Sequence, residues 1–391
     1  MVPEGWRKGT FVEGIDLISG QHVEAQHVNE TGDGHPYLTG PADFPNGSII
    51  VSKYTDQGRK FSRKGDILIT VKGSGTGKVI ESDDNYAISR QLMAIRATDF
   101  DPRFTYYNVV SSLNRYEGAA AGLIPGISRE DVLGTPLLIP PFPEQKMIAQ
   151  ILSTWDQAIT ATERLLENSQ QRKKGLMQQL LTGKKRLMGF EDEWEEVKLA
   201  TVAEMNSGGT PKSSVADYYG GNIPWVSIAD MTSQGKWIDH TEKNLSKLGI
   251  ENSAARIYPA NTVLYAMYAS IGECSIARVP TSSSQAILGI RPSKNLHFEF
   301  LYFYLSSLKE EIKLQGQQGT QSNLNAGMVK AFEIPLPDLT EQIRISEVLN
   351  SADREIYALQ ENVHALKKEK KALMQQLLTG KRRVKVDLEA A

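Results

Sequence analysis

Cysteine is almost absent: Cys274 stands alone in 391 residues, so no intramolecular disulfide can form and no Cys-rich zinc site can be built. The six histidines show no metal-ligand spacing. No uninterrupted apolar stretch is long enough to span a bilayer, and Met1-Val2-Pro3-Glu4-Gly5-Trp6 lacks the basic-then-apolar layout of a signal peptide. These absences predict a cytoplasmic protein in a reducing compartment, with no membrane partner. Strong charge of one sign is missing too. Residues 1–143 carry 14 Lys and Arg against 17 Asp and Glu (−3), residues 144–189 carry 8 against 4 (+4), residues 190–337 carry 12 against 16 (−4) and residues 338–391 carry 10 against 9 (+1), which together give the net −2. Net charge alone therefore does not announce a nucleic-acid partner.

Catalytic signatures are lacking as well. Gly73-Ser74-Gly75-Thr76-Gly77-Lys78 follows a strand-like run, as a phosphate loop would. It has three residues before Gly-Lys where four are needed, and Val79 stands where Ser or Thr would hold magnesium. Ile139-Pro140-Pro141-Phe142 has the Pro-Pro-aromatic part of an amino-methyltransferase motif, but Ile139 offers no acceptor for the target amine, so it reads as a proline stop before a helix. Pro337-Asp338 does not continue into a nuclease-type Glu-x-Lys, because Glu341 is followed by Gln342 and Ile343.

What is present is a chain written twice. Leu176-Met177-Gln178-Gln179-Leu180-Leu181-Thr182-Gly183-Lys184 recurs letter for letter at 373–381, a shift of 197, and 144–186 aligns with 341–383 without a gap. A period this long means two homologous units rather than a solenoid. The globular copies diverge more but stay in register: Trp6, Gly20 and Pro36 answer Trp194, Gly208 and Pro224, and later Gln91 answers Gln285 and Val132 answers Val329. Short β-branched runs bounded by Gly and Pro predict strand-rich domains. Their loops differ most at Lys72–Lys78 against Tyr268–Glu273, and loops on a rigid scaffold are where recognition sits.

The repeated segments carry helical seams. Ile148, Leu152, Trp155, Ile159, Thr162, Leu166, Ser169, Lys173, Leu176 and Leu180 alternate by four and three, as do Ile345, Leu349, Ala352, Ile356, Leu359, Val363, Leu366, Lys370, Leu373 and Leu377. Each run opens after prolines and closes at a glycine, Gly183 or Gly380, where a left-handed cap belongs. The reading is two helices of roughly 40 residues, about 60 Å each, packed antiparallel. A further row, Ile151, Ala158 and Leu165, points to a helix supplied by a partner. The fold class is thus α+β: two homologous strand-rich domains joined by two long antiparallel coiled-coil helices, an internal pseudo-two-fold repeat. The segments are 1–142, 143–189, 190–337, 338–383 and a tail at 384–391.

This arrangement resembles the DNA-specificity subunit of Type I restriction-modification enzymes. The resemblance covers essentially the whole chain, and the second copy carries it best: Ile223-Pro224-Trp225-Val226, Ser270-Ile271-Gly272, Ser284-Gln285-Ala286-Ile287, Glu333-Ile334-Pro335-Leu336-Pro337 and Glu341-Gln342. The first copy departs from it at Pro36-Tyr37-Leu38 and Arg90-Gln91-Leu92. The resemblance implies that each domain reads one half of a bipartite double-stranded DNA site. It implies that the helices set the spacer and dock two methyltransferase subunits, through which restriction–translocase subunits attach. S-adenosylmethionine, ATP and magnesium would belong to those partners, with no cofactor and no catalysis in this chain.

Side chains able to read base edges are long or polar and sit on exposed loops. The candidates are Lys53, Tyr54, Lys72, Ser74, Thr76, Lys78, Arg90 and Gln91 in the first domain. In the second they are Thr210, Lys212, Tyr268, Ser270, Ser284, Gln285, Gln317, Gln318 and Thr320. Each has an alternative reading as a solvated loop residue, and the shared Gln91 and Gln285 fit a role in the fold or on a phosphate. Two other classes stay open at this point: a non-enzymatic adaptor binding two protein ligands, and an enzyme whose site is unlike the motifs above.

Overall fold

The computed structural model describes residues 2–73, 75–119, 126–312 and 324–385. Ser74, Gln317, Gln318 and Thr320 lie outside the described residues. The chain forms two compact units, Met1–Glu163 with Glu361–Ala391, and Arg164–Gln360. Each unit holds one globular copy and a half of each long helix, so the units do not follow the sequence segments one for one.

In the first unit Arg7–Thr10 pairs antiparallel with Pro136–Ile139, which brings the start of the globular copy to its end. A four-stranded antiparallel sheet runs Ile15–Ser19, Leu92–Ala97, Ile67–Thr70, Val79–Glu81. A second sheet runs Tyr54–Thr55, His35–Leu38, Tyr86–Ile88, Phe61–Ser62, with its middle pair parallel. The continuous apolar run Ile67-Leu68-Ile69 is explained by burial on both faces of its strand. Ile67 and Ile69 join a core with Phe104, Tyr107 and Tyr116, while Leu68 joins Leu38, Ile88 and Leu92 on the other side.

The second unit repeats this plan with additions. Glu195–Lys198 pairs with Glu333–Leu336. A five-stranded sheet runs Ala203–Ser207, Ile287–Pro292, Val263–Ala266, Cys274–Ala277, Trp237–Ile238, and a three-stranded sheet runs Lys243–Leu245, Tyr219–Val226, Ser282–Ser283. The same alternation recurs: Val263 and Tyr265 pack with Phe300 and Phe303, whereas Leu264 and Ala266 pack with Val226 and Ile287. Cys274 is buried among these residues, and burial pushes its thiol far above the ordinary range, which leaves it an inert core residue.

The long helices are Phe142–Leu180, 39 residues, and Leu339–Leu378, 40 residues. Gly183 and Gly380 beyond them take left-handed φ values of 69° and 66°, the conformation that lets the chain turn off a helix end. In the first unit Asp156 pairs with Lys370 and Glu163 with Lys367. In the second, Ser169 bonds Glu355 and Lys173 pairs with Asp353. Numbers rise along one helix as they fall along the other, so within each unit the helix halves run antiparallel. Ile148, Leu152, Ile159, Leu180, Ile345, Leu349, Val363 and Leu377 are buried, and Trp155, Leu166, Leu176, Ile356, Leu359, Leu366 and Leu373 are half-buried.

The seam lysines are accommodated by more than their ion pairs. Lys173 lies over the Phe303 ring and Lys370 over Tyr107, so each buries its stem while its ammonium meets a carboxylate and a π face. The side row grades along its length. Ile151 packs partly into the first unit's core, Ala158 is half-buried and Leu165 is 56% exposed.

Candidate nucleic-acid interface and its anchors

Most of the described candidate side chains lie at the hairpin end of one sheet in each domain. In the first domain Lys72, Thr76 and Lys78 belong to the hairpin joining Ile67–Thr70 to Val79–Glu81. Gly73 and Gly77 hold its tip with φ near +90°, and Thr76 Oγ1 bonds the Gly73 carbonyl at 2.7 Å. Val71 N donates to the Gln91 carbonyl at 2.8 Å, which sets the turn Ser89–Gln91 against the hairpin base. Gly40 sits so close to Gln91 Oε1, and Gly75 so close to Pro41, that a Cβ on either would collide. The structure thus brings Lys72, Thr76, Lys78, Arg90 and Gln91 together with the Gly40-Pro41 loop. Lys53 and Tyr54 lie apart, on the edge of the other sheet, where the Lys53 carbonyl accepts from Tyr37 N at 2.8 Å.

Several basic side chains of this domain are engaged: Arg96 with Asp66 at 2.7 Å, Arg103 with Glu81 at 2.7 Å, and Arg129 with the Leu17 carbonyl at 2.8 Å. Among the described residues Lys72, Lys78 and Arg90 are exposed and form no ion pair. Burial raises the phenol of the adjacent Tyr37 above its ordinary value, and the field of Arg90 opposes that rise.

The second domain gathers its set in the same way. Gly208 and Gly209 donate backbone bonds to Ile287 and Ser283 at 3.0 and 2.9 Å, laying the Thr210-Pro211-Lys212 loop beside the turn that carries Ser284 and Gln285. Met267 N donates to the Ala286 carbonyl at 2.9 Å, which brings the Tyr268–Gly272 turn to the same place. Tyr268, Ser270, Ser284, Gln285, Thr210 and Lys212 therefore form one cluster. Gly20 and Gly208 are equivalent in the two copies: a Cβ on either would strike the backbone of the neighbouring turn, at Ser89 or Ser283.

Each unit also holds an anchor that composition and spacing did not single out. In the first unit Glu144 accepts from Trp6 Nε1 at 3.0 Å and pairs with Arg383. In the second, Glu341 accepts from Trp194 Nε1 at 2.9 Å and from Arg186 Nη2 at 2.7 Å. The neighbouring glutamines do parallel work. Gln145 accepts from Asp101 N at 2.9 Å and bonds the Pro140 carbonyl; Gln342 accepts from His297 N at 2.7 Å and bonds the Pro337 carbonyl. The Glu-Gln pair opening each long helix thus fixes that helix to its domain and to the chain leaving the other helix. Its signal in the sequence was the repetition itself.

A model of the family described as the Type I restriction modification DNA specificity domain matches residues 3–168 and 191–367, once over each copy. The chain belongs to this family. A Type I specificity subunit of Methanocaldococcus jannaschii, MjaVIII, is 26% identical over 98% of this chain and 94% of its own length. A second from that organism, MjaIX, is 30% identical, but over only 41% of this chain and 38% of its own. The Escherichia coli EcoR124I/EcoR124II specificity subunit is 25% identical over 56% of this chain and 55% of its own.

The fold agrees with these relatives. The S subunit of M. genitalium superposes with a TM-score of 0.59 at 19% identity, covering 96% of both chains. A chain from a study of complex assembly and conformational transition in the type I R-M system superposes at 0.65 with 20% identity, covering 98% of this chain and all of the other. Among the described residues no helix is long and apolar enough to cross a membrane. No three His, Cys, Asp or Glu among them are grouped to hold a metal.

Proposed function

We propose that this specificity-family chain is the sequence-reading subunit of a Type I restriction-modification complex, and that each globular domain reads one half of a bipartite double-stranded DNA site. The observation that carries this reading is the pairing of a repeated scaffold with unrepeated loop ends. The Glu-Gln anchors, the helix seams and the strand plan recur, as does the glutamine pair Gln91 and Gln285, while the clustered ends differ in presenting Lys72, Thr76, Lys78 and Arg90 in one copy and Thr210, Lys212, Tyr268, Ser270 and Ser284 in the other. A conserved frame with divergent tips suits one task performed on two different sequences.

The chain itself is read as non-catalytic. It docks two methyltransferase subunits along its long helices, with Leu165 exposed on the row Ile151, Ala158, Leu165, and reaches restriction–translocase subunits through them. S-adenosylmethionine, ATP and magnesium belong to those partners. Because the globular segments are mildly acidic, partners also supply much of the charge that neutralises phosphate. The helices fix the spacer between half-sites. The adaptor reading has nothing in its favour among the relatives, which are specificity subunits.

The test is a titration of labelled DNA carrying the methylated motif, with and without methyltransferase subunits, at several salt concentrations. The isolated chain should bind weakly with a steep salt dependence, and two partners per chain should restore tight, motif-dependent binding. Tight motif-specific binding by the chain alone would contradict the proposal.

A further inference from the structure

The second domain's hairpin tip holds a tyrosine outward on a backbone that is strained for the residue it carries. Strands Val263–Ala266 and Cys274–Ala277 are closed by Ala266 N to the Glu273 carbonyl at 2.9 Å and Gly272 N to the Ala266 carbonyl at 3.0 Å. The connection is fastened on both sides. Met267 is buried and accepts from Leu324 N at 3.2 Å, Ile271 packs on the core that includes Cys274 and Phe303, and Glu273 pairs with Lys309. Between these fixings Ala269 takes φ +60°, a left-handed conformation unfavourable for a residue with a Cβ.

The equivalent hairpin of the first domain puts glycine, Gly73 and Gly77, at its positive-φ positions and carries no aromatic side chain. In the second domain the strained alanine directly follows Tyr268, which is 39% exposed. Among the described residues the Tyr268 hydroxyl has no hydrogen-bond partner and its ring stacks on no other. Tyr268 stands beside Ser270, Ser284 and Gln285, in the cluster assigned to DNA.

Resting on the specificity reading above, we infer that Tyr268 is a specificity-determining residue whose phenol reads a base edge in the half-site of the second domain. A tyrosine reaches far with only two side-chain torsions to fix, and its hydroxyl held in a fixed place favours a polar group on a base edge over the thymine methyl. The fastened turn serves to aim it. A phosphate contact would ask for no such aim, and Lys212 in the same cluster supplies the charge that phosphate prefers.

The experiment reconstitutes the complex of this chain with its methyltransferase subunits. It reads the methylated sequences from a randomised DNA library for wild type, Tyr268→Phe, Tyr268→Ala and Ala269→Gly, with thermal melting of each chain. Tyr268→Phe removes one oxygen from an exposed ring and should melt as wild type does. It should relax a single position in one half-site, with discrimination there falling about tenfold or more, while the other half-site is unchanged. Tyr268→Ala should relax the same position. Ala269→Gly, which keeps the phenol but loosens its support, should relax it less. An unchanged motif with both Tyr268 variants overturns the inference, as does a uniform loss of affinity for all sequences with the motif intact, the mark of a phosphate contact. Wild-type complex that methylates without a bipartite motif overturns the specificity reading as well, and is told apart by the wild-type lane alone.

Discussion

Arg186 and Glu341, 155 residues apart, form a two-pronged ion pair: Nε and Nη2 of the arginine donate to the two carboxylate oxygens at 2.8 and 2.7 Å. The carboxylate is essentially buried and also accepts from Trp194, so all of its charge is answered from within the second unit. Arg186→Met should destabilise that unit by roughly 3–5 kcal/mol, because a buried charge is left without its partner. The double variant Arg186→Met with Glu341→Gln should recover much of that loss. Denaturant unfolding of wild type and the two variants checks this; equal stability of Arg186→Met and wild type would mean the pair is no anchor.

The first unit makes the same closure out of the chain's two ends. A Cβ at Gly183 would stand 3.3 Å from the Trp194 ring, and one at Gly380 would stand 3.4 Å from the Trp6 ring and collide with Pro3. The ends of the chain therefore meet as Gly183 and Trp194 meet inside it. A circular permutant joining Lys385 to Val2 through a short linker, and opened between Met188 and Gly189, should fold and methylate the original motif. Methylome sequencing of cells carrying it gives the answer, and loss of soluble protein would contradict the equivalence.

His297 occupies the N-cap of the helix Phe298–Ser307 without a side-chain cap bond, and among the described residues its buried Nδ1 has no partner. Its counterpart Asp101 caps Pro102–Ser111 by accepting from Phe104 N at 2.9 Å. Burial lowers the His297 pKa from its ordinary 6.5, with the field of Glu299 opposing and that of Lys236 assisting. The sign follows from linkage: the unfolded chain binds the proton more tightly, so the contribution of neutral His297 is complete above about pH 6.5 and is lost as pH falls toward the lower folded value. His297→Asp should supply the missing cap, stabilising by about 0.5–2 kcal/mol, and flatten the slope between pH 7 and 5. Melting across that range checks both; an unaltered slope would show that another group carries it.

The spacer role makes a separate demand on the long helices. One heptad inserted at matching seam positions in each, near Thr162 and Leu359, keeps the apolar stripe continuous. Seven residues add about 10 Å of helix, the length of roughly three base pairs. Rotation of one half-site about the DNA axis accompanies the change, so the expected motif has a spacer about two or three base pairs longer, or activity is lost. Methylation at the original spacing would show that the helices do not measure the site.

The α+β class and the two long helices were legible in the sequence because their signals are local and repeated: a four-three stripe, prolines before it and glycine after it. Three features were not. The seam lysines Lys173 and Lys370 make sense only once the facing Asp353 and Asp156 and the Phe303 and Tyr107 rings are in place. The Glu144 and Glu341 anchors join residues more than 130 positions apart, beyond any spacing rule. Parallel pairings such as Tyr37 with Ala87 and Trp225 with Ser282 link strands whose own patterns are too short to announce a partner. For the candidate interface, residue type and loop position could nominate side chains. Clustering came from contacts such as Val71 with Gln91 and Met267 with Ala286, which no local pattern encodes.

The central claim is that each domain reads its own half-site. Its most direct measurement exchanges residues 190–335 for the matching domain of a relative with a known motif, followed by sequencing of the methylated sites. The account predicts a hybrid motif in which one half is the relative's and the other is unchanged. A change in both halves together, or in neither, would contradict it.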